Sequence, residues 1–569
     1  MKSSHSFFHT FQQFISGRFR ALSSREKILF GGLVAIIFLG LISACIYISN
    51  SFSVEVPTSG GTLREGILGT PRFINPVLAT SDVDQDLSKL VYSGLVRRVS
   101  SDNGTSEIIP DLAESYTVSE DGKVYTFILK KDAKFSDHKP VRAEDVVFTI
   151  KTIQDNQFQS PLSGNWIGVS AEAINDTTLK ITLPRSFSGF LDSATVGILP
   201  KHIWGTFTVD EFLASNYNTR PIGSGPYKIS AINRDSNGIA TNYTFKKFTN
   251  FALGKPFIQK IVINLYPNEQ NLISGYQQGD YDILANIHPY EVNPDTTKFT
   301  TTQSLPKMFG LFLNAEKDPM FKDTTLRSVI NSAIDTSEII NNVFQGYAQS
   351  ITNPLPELSQ AASLKTKLSR EQVNQTLDTL GWKLNSTTGI REKNGKPLSF
   401  TISTADAAEL KYSAQIIQKQ LKEVGIATEL QIFQLNDLEN SVIKKRSFDA
   451  LLFGQFIKSD ADLYAFWHSS QANASGLNIT AYTNKTLDNL IEKLFATIDI
   501  NNRQTILNDI SRQLSEAPVI WLYQTDFVYA LRRPVYGMNL TNLINKPDRF
   551  ATIYKWYLQT DTVWKMFTH

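Results

Sequence analysis

The sequence has one cysteine, Cys45, among its 569 residues, and only seven histidines. A single cysteine excludes an intramolecular disulfide and any zinc site built from several thiolates. Among the histidines, only His5 and His9 have the i,i+4 spacing of two metal ligands on one helix face, and no HExxH motif surrounds them. We therefore expect no metal site and no cofactor.

Motifs that mark common enzymes and nucleotide-binding proteins are also missing. There is no G-x-S-x-G nucleophile elbow and no G-x-x-x-x-G-K-[ST] phosphate loop. A G-x-G-x-x-G turn fails because Lys228 stands where the third glycine after Gly223 and Gly225 would be. Adjacent carboxylates such as Glu144 and Asp145 are interpreted as capping or solvated groups, so no catalytic residue is predicted.

The bulk of the chain lacks a basic excess. The formal net charge is +2, from 56 basic and 54 acidic side chains, and five basic groups but one acid lie within residues 1–27. The remainder is therefore slightly acidic, and nucleic acid is not an expected partner. The hydrophobic content of 41% and the charged content of 19% are typical of globular proteins, and the length allows about three domains.

One long run, Ile28–Ile48, contains no charge. About twenty apolar residues suffice to cross the hydrocarbon core of a bilayer as a helix. Arg25 and Lys27 precede the run, and the positive-inside rule then places the large part of the chain outside the cell membrane. We predict a cytoplasmic tail over 1–27, a transmembrane anchor over 28–48 and a linker over 49–59.

A lipoprotein signal is the alternative for the same segment. Leu41–Cys45 resembles a lipobox, with small residues directly before the cysteine. Against this, Ile46–Ile48 continue the apolar run, whereas mature lipoproteins usually begin with polar residues. Both alternatives attach the large part of the chain to the same outer face of the membrane, facing the extracellular or periplasmic space.

The stretch Pro110–Ile150 carries the most specific pattern. Residues 116–118 and 124–129 alternate in the manner of two strands. Glu120–Lys123 between them has the residues of a tight hairpin turn, whose glycine supplies a positive φ. After a polar loop, residues 144–152 have helical spacing, with acidic side chains in the first turn, where the helix dipole favours them.

This order of strand, turn, strand, loop and helix resembles the family 5 extracellular solute-binding proteins, the oligopeptide- and dipeptide-binding subunits of ABC importers. The positions that match the family run are Pro110, Leu112, Ala113, Tyr116, Asp121, Gly122, Tyr125, Phe127, Leu129, Lys134, Phe135, Asp137, Pro140, Ala143, Asp145 and Val146. Two positions depart from it. His138 replaces the usual glycine, which implies a different turn geometry. Arg142 replaces Thr or Ser, which removes a helix N-cap worth roughly 0.5–2 kcal/mol.

Further segments resemble the same family in the same order along the chain. They are Pro221–Tyr227, Asn314–Gly346, Gly381–Lys383, Arg391–Ile402, Gln420–Ile426, Phe448–Gly454, Phe466–Gln471 and Ala517–Tyr523. Periodicity adds helices over Leu326–Phe344 and Glu409–Val424, and strands over Ile258–Tyr266 and Leu398–Ser403. The content is therefore mixed α and β throughout.

The resemblance implies an α/β fold of the periplasmic-binding-protein-like type II. This is a hinged two-lobe scaffold with an extra inserted domain, here preceded by an N-terminal membrane helix. The implied division is 60–97, 215–312 and 520–560 for domain I, 98–214 for domain II and 313–519 for domain III. Chain crossings near 312–315 and 518–523 would form the hinge, which permits closure around a ligand.

The function implied by the resemblance is that of a membrane-tethered extracellular substrate-binding protein of an ABC importer. It would bind peptides or peptide-like solutes by hinge closure and deliver them to separate permease and ATPase subunits. The alternative solutes are non-peptides, such as an opine, a glycoside or a metal chelate. Alternatives from other classes are a surface peptidase and a chaperone-like or adhesion protein.

The resemblance also suggests ligand-binding residues, since the strand Asp449–Phe456 matches the family's ligand-lining strand. The candidates are Asn75, Trp166, Gly454, Gln455, Phe456, Lys458, Asp460 and Trp467. For Trp166 and Trp467, packing inside a domain is the competing interpretation. For Gly454, it is a bulge in a buried strand.

Lys458 is a departure with chemical consequences. Oligopeptide-binding relatives have an aspartate here that pairs with the α-ammonium of the peptide, and a lysine cannot make that pair. Asp460 would substitute only if the loop rearranges. Capture of a free N-terminus is therefore in doubt, and a ligand with a carboxylate is favoured, unless Lys458 is simply an exposed loop residue.

Because the apolar run continues past Cys45, we predict that this cysteine carries no lipid. Metabolic labelling of the full chain with an alkyne-bearing fatty acid should give no signal above that of Cys45→Ser. Labelling that the substitution abolishes would contradict the prediction and support the lipoprotein alternative.

Overall fold

The computed structural model describes residues 23–100, 106–186, 189–285, 299–355, 367–458, 460–473, 476–497, 499–541 and 543–565. The chain separates into two compact units. The larger is Gly60–Trp556, and the smaller combines the segments before Gly60 and after Trp556. The predicted cytoplasmic tail, with His5 and His9, lies outside the described residues apart from residues 23–27.

Helices and strands alternate along the described chain, as expected for an α/β fold. The helices are α1 Ser24–Phe52, α2 Asp82–Val91, α3 Ala143–Gln154, α4 Phe190–Ser193, α5 Lys201–Trp204, α6 Val209–Ala214, α7 Glu269–Gln278, α8 Thr324–Ala333, α9 Thr336–Phe344, α10 Arg370–Thr379, α11 Ala408–Glu423, α12 Leu435–Asp437, α13 Asp460–Trp467, α14 Lys485–Ala496 and α15 Ile500–Leu514. The strands are β1 Ser53–Thr58, β2 Gly60–Leu68, β3 Val96–Ser100, β4 Ser106–Pro110, β5 Ala113–Val118, β6 Val124–Leu129, β7 Ser170–Ala173, β8 Thr178–Thr182, β9 Tyr227–Arg234, β10 Ala240–Lys247, β11 Ile258–Tyr266, β12 Ile283–Ala285, β13 Phe299–Leu313, β14 Ala348–Ser350, β15 Lys383–Leu384, β16 Arg391–Lys393, β17 Lys396–Pro397, β18 Ser399–Ala405, β19 Ala427–Phe433, β20 Ala450–Phe456, β21 Val519–Leu531 and β22 Gln559–Trp564.

An eleven-stranded sheet runs through both lobes of the larger unit, in the order β19-β18-β20-β13-β21-β12-β2-β11-β10-β9, with β14 beside β21. Strands β2 and β11 are parallel, whereas β13 and β21 are antiparallel. A separate four-stranded sheet, β5-β6-β8-β7, lies within the segment predicted as the inserted domain. The α/β two-lobe fold is thus confirmed, while the domain boundaries stay a prediction.

The two long strands β13 and β21 connect the lobes. Residues 299–304 of β13 pair with the C-terminal half of β21, and residues 308–312 pair with its N-terminal half. The register is irregular between Ser304 and Met308, where Gln524 lies opposite Met308. A second register shift lies between Phe309 and Gly310, which pair with Tyr523 and Trp521, so one irregularity falls within the crossing predicted near 518–523. The hinge itself stays a prediction.

Local structure follows the sequence pattern closely. Gly122 has φ 68°, as the predicted hairpin turn requires, and α3 covers the predicted helix. Arg142 makes no side-chain cap, but its backbone N–H donates to Asp145 Oδ2 at 2.8 Å. His138 has φ 72°, the left-handed conformation that glycine favours, so this turn has a backbone that a glycine would also adopt. A turn geometry different from that of the family stays a prediction.

The helical periodicity over Leu326–Phe344 covers two helices rather than one. Helix α8 ends at Ala333, and Asp335 caps α9 by accepting a hydrogen bond from Ser337 N–H at 2.9 Å. An aspartate at this position accepts hydrogen bonds from the unpaired N–H groups at the start of a helix. It therefore favours the beginning of a second helix over the continuation of α8. Predicted helix Glu409–Val424 and predicted strands Ile258–Tyr266 and Leu398–Ser403 agree with α11, β11 and β18.

The smaller unit contains α1 and a two-stranded antiparallel ribbon of β1 and β22. Helix α1 begins with a capping box, in which Ser23 N–H donates to Glu26 Oε2 at 2.8 Å. Within the described residues, one helix has the length and apolar composition to cross a membrane, over Ser24–Ala44. The segment predicted as a linker contains the end of α1 and all of β1.

A buried ionic network centred on Arg549 joins distant parts of the larger unit. Its guanidinium donates to both carboxylate oxygens of Asp86 at 2.6 Å, and to Glu65 Oε1 at 2.9 and 3.1 Å. Tyr529 donates its hydroxyl to Glu65 Oε2 at 2.7 Å. Burial raises the pKa of both carboxyl groups, and the charge of Arg549 opposes that effect. The network therefore depends on its cation.

Replacing that cation should destabilise the fold more at neutral than at acidic pH. In Arg549→Met, Glu65 and Asp86 stay buried without a counter-charge, which costs about 3–5 kcal/mol. Loss of Arg549 raises the folded-state pKa of both carboxyl groups further above the unfolded values. The penalty therefore shrinks as pH falls toward the unfolded values. Urea denaturation followed by tryptophan fluorescence measures the shift.

A neutral triple variant provides the matched control for this prediction. In Arg549→Met with Glu65→Gln and Asp86→Asn, no buried charge remains, so the penalty and its pH dependence should both become smaller. An Arg549→Met protein as stable as the unmodified chain at neutral pH would contradict the prediction.

Candidate functional site

A cavity of about 430 Å³ lies within the larger unit. Its walls come from residues 76–98, residue 111, residues 162–197, residues 458–462 and residues 544–548. Segments remote in sequence thus converge on one partly open space, whose volume is within the usual range for small-molecule sites. We consider this cavity the candidate binding site.

One wall contains a buried ion pair. Arg97 in β3 donates from Nε and Nη2 to Asp111 Oδ2, at 3.0 and 2.6 Å, and both side chains are almost fully buried. Arg97 also donates to the carbonyl of Ala551. Asp111 Oδ1 is buried and has no hydrogen-bond partner among the described residues. A buried acceptor without a donor is costly, which makes this wall a place for a donor group.

A second part of the cavity wall is also charged. Lys89 Nζ lies 3.6 Å from Asp548 Oδ1, and Asp548 Oδ2 accepts a hydrogen bond from Asn545 N–H at 3.0 Å. Close by, Lys546 forms an ion pair with Asp82 at 2.6 Å. These pairs hold the segment before Arg549 against α2, so the network around Arg549 positions part of the cavity wall.

Trp166 borders the cavity from the segment that carries the four-stranded sheet. Its ring is buried and packs edge-on against Phe190, with 5.7 Å between ring centroids. Gln154 Nε2 donates to the Trp166 carbonyl at 2.7 Å, which fixes the loop. Next to it, Arg98 and Asp192 form a half-buried ion pair. Trp166 therefore packs within its own segment and also contributes to the cavity wall.

Lys458 lines the cavity from the other lobe. Its backbone N–H donates to Asp462 Oδ2 at 2.9 Å, and its ammonium group lies 4.7 Å from the centre of the Phe456 ring. The Lys307 ammonium group lies 5.4 Å from the same ring. Desolvation by the surrounding protein lowers the pKa of both lysines. An anion placed nearby would stabilise the charged form of a lysine in this setting.

Strand β20 has an open edge before it reaches Lys458. Its pairing with β18 ends at Leu452, whereas its pairing with β13 continues to Phe456. Among the described strands, none pairs with the other edge of residues 453–456. Those backbone groups can hydrogen-bond an extended chain in the manner of an added strand.

The structure gives Gly454, Gln455 and Phe456 different environments on this strand. A side chain at Gly454 would meet the Phe309 ring at 2.8 Å, so glycine permits a close approach across the sheet. Gln455 is buried, and its Oε1 has no hydrogen-bond partner among the described residues. Phe456 is half-buried beside the two lysines. Their contact with a ligand stays a prediction.

Gly454, Gln455 and Phe456 do not line the cavity, and neither do the three remaining candidates. Asn75 is buried, and its side chain bonds Asn218 at 3.1 Å and Val77 N–H at 3.0 Å, which holds the loop before Pro76. Both carboxylate oxygens of Asp460 accept hydrogen bonds from Arg503, at 2.9 and 2.7 Å. Trp467 lies in the core, with its ring centroid 6.0 Å from that of Trp521.

Sequence reasoning missed most of the charged wall. The residues not identified beforehand are Lys89, Tyr92, Arg97, Arg98, Asp111, Asp192, Asp462 and Asp548. A signal existed at Arg97 and Arg98, since two adjacent arginines interrupt an otherwise apolar strand. For the other charged residues, the sequence showed no difference from ordinary surface charges, and Tyr92 showed none from an ordinary core aromatic residue.

The carboxylate pairs considered for acid–base chemistry have structural roles. Glu144 pairs with Lys201 at 2.7 Å, and Asp145 accepts backbone hydrogen bonds from Arg142 and Lys201. No cluster of three or more potential metal ligands occurs among the described residues. The arrangement at the cavity suits reversible binding of a polar, charged solute.

Comparison with known proteins identifies a family. The model for "Bacterial extracellular solute-binding proteins, family 5 Middle" matches residues 107–476. The oligopeptide-binding protein AppA of Bacillus subtilis (strain 168) is 26% identical over 522 residues, covering 89% of this chain and 93% of its own. The nickel-binding periplasmic protein of Escherichia coli (strain K12) is 26% identical over 472 residues, covering 78% and 85%.

Solved structures agree with these comparisons. The ABC transporter substrate-binding protein CtaP of Listeria monocytogenes is 26% identical, with a TM-score of 0.73, covering 88% of this chain and 100% of its own. AppA of Bacillus subtilis, solved in complex with a nonapeptide, has 25% identity and a TM-score of 0.67, covering 89% and 100%.

Proposed function

The chain belongs to the bacterial extracellular solute-binding proteins of family 5, and on this premise we propose that it is the substrate-binding protein of an ABC importer. It binds peptides or peptide-like solutes in the cavity between its lobes and delivers them to separate permease and ATPase subunits. The observation that carries the proposal is the open edge of β20, which leads to a charged cavity. Similarity to AppA and CtaP over most of the chain supports it.

The mode of binding follows from the open backbone edge of β20 and from the charged side chains of the cavity wall. The backbone of an extended peptide pairs with residues 453–456 of β20. This pairing fixes the direction of the peptide and does not depend on the peptide's side chains. The charged side chains of the cavity wall then meet polar groups of the ligand. Closure of the lobes excludes water and strengthens these contacts.

We further propose that α1 remains attached as a membrane anchor. Its 29 residues exceed the length needed to span the hydrocarbon core, and its apolar side chains are exposed in the isolated chain. The binding unit then stays at the outer face of the cell membrane, close to its permease.

A non-peptide solute is the second candidate, and one specific observation favours it. The nickel-binding relative shares 26% identity, so a metal chelate is a reasonable ligand class for this scaffold. An opine or a glycoside would use the same polar walls. A surface peptidase has less support, because the carboxylate pairs serve structural roles.

We expect purification of the full chain in mild detergent to yield bound peptide. Mass spectrometry of the acid-released material should identify short peptides without a fixed sequence. Calorimetric titration with the same peptides should show binding, and incubation should leave them intact. A metal chelate or sugar conjugate as the sole released ligand would favour the second candidate, and peptide cleavage would favour the peptidase.

Lys458 should determine how the peptide N-terminus is tolerated. A like-charge contact at about 4 Å costs roughly 1–4 kcal/mol, depending on the effective dielectric. N-acetylated peptides should therefore bind at least as tightly as their free-amine counterparts, and Lys458→Asp should reverse that order. Calorimetric titration with matched peptide pairs measures the difference.

Lys255→Asp provides the control for this prediction, because it makes the same charge change at an exposed loop residue outside the cavity. This variant should keep the preference of the unmodified protein. A clear preference of the unmodified protein for free amines would contradict the prediction and point to a carboxylate of the cavity wall, such as Asp462.

A further inference from the structure

Two segments far apart in the sequence, residues 53–58 and 559–564, pair in the ribbon of the smaller unit. Strand β1 pairs with β22 in antiparallel register, from Ser53 opposite Trp564 to Thr58 opposite Gln559. Ser53 follows α1 directly, so the register places Trp564 beside the outer end of the apolar helix. A residue close to the C-terminus thus lies at the point where the anchor leaves the membrane.

The depth of this point follows from helix geometry and rests on the proposed anchoring. The charge-free run ends at Ile48 and α1 continues to Phe52, which adds about 6 Å at 1.5 Å per residue. A bilayer has a hydrocarbon core of about 30 Å and a total thickness of about 40–45 Å, so each polar zone is several ångströms thick. The ribbon end at Ser53 and Trp564 therefore lies within the outer polar zone.

The aromatic side chains around this level are exposed. Tyr47 is 74% exposed, Phe52 60% and Trp564 46%. All seven tryptophans lie among the described residues, and Trp564 is the one that the fold leaves largely exposed. Tryptophan and tyrosine concentrate at membrane interfaces, where the ring contacts acyl chains and the polar edge stays hydrated.

We propose that the C-terminal strand is a second membrane contact, in which Trp564 inserts into the polar zone of the outer leaflet beside Phe52. The partner is a phospholipid bilayer. Lys565 follows Trp564 and is exposed, so its charge favours anionic headgroups at the same level. The ribbon then holds Trp564 at the membrane surface beside the outer end of α1.

Depth-dependent quenching of tryptophan fluorescence tests this contact. The full chain is reconstituted into phosphatidylcholine vesicles brominated near the carbonyl end of the acyl chains, near their methyl end, or not at all. Shallow bromine should quench part of the emission and deep bromine less. Trp564→Phe should remove most of the shallow quenching, whereas Trp382→Phe, which removes a partly buried tryptophan of the larger unit, should leave it unchanged.

A second variant tests whether the ribbon holds the tryptophan in place. Val56→Pro removes a backbone donor opposite Asp561 and should reduce the shallow quenching although Trp564 is still present. Shallow quenching that is equal in the unmodified chain and in Trp564→Phe would overturn the inference.

Flotation of the same vesicles on a density gradient separates the two proposals. Protein that floats with the vesicles, but in which shallow bromine does not quench the Trp564 emission, overturns the membrane contact alone. Protein that does not float overturns the anchor and, with it, this contact. Floating protein with quenching that Trp564→Phe removes supports both.

Discussion

The buried guanidinium of Arg549 is the interaction on which the geometry of the larger unit depends. It bonds two carboxylates that lie 463 and 484 residues away in the sequence, one on α2 and one on β2. Removing three charged groups from water costs several kcal/mol for each ion, and the cost is offset only when every polar atom has a partner. Here the guanidinium bonds both carboxylates and the Lys546 carbonyl, and the second oxygen of Glu65 accepts from Tyr529. One arrangement satisfies all of them, so the network selects that arrangement.

The shape of the cavity depends on the arrangement that the Arg549 network fixes. Residues 544–548 directly precede Arg549 and form one wall, and α2, which carries Asp86, forms the adjoining wall. The ion pair of Lys89 with Asp548 and the pair of Lys546 with Asp82 then close the contact between these walls. Partly exposed pairs of this kind contribute little stability on their own. They hold residues 546–548 against α2, on a wall whose position depends on Arg549.

Sequence reasoning succeeded where a pattern was local and failed where partners were distant. The hairpin at Gly122, the helix after Arg142 and the strand β20 were predicted, because turn chemistry and periodicity depend on neighbouring residues. Family motifs added the two-lobe fold. The roles of the candidate side chains did not follow in the same way. Asp460 and Lys458 are two residues apart, yet Asp460 is hydrogen-bonded to Arg503 whereas Lys458 lines the cavity. No periodicity indicates where Arg503 lies.

The ribbon at the chain ends illustrates the same limit and shows what a distant partner changes. Alone, residues 49–59 suggested a polar spacer, since they are short and contain a proline. Val54 and Val56 have the β-branched side chains that favour a strand, but a strand needs a partner, and the partner lies at the other end of the chain. Pro57 is compatible with this strand because a two-stranded ribbon has outer edges where no N–H is needed. Pairing converts the spacer into a short, ordered connection. An ordered connection limits the freedom of the anchor relative to the ribbon, and it keeps the C-terminal strand at the level where α1 ends.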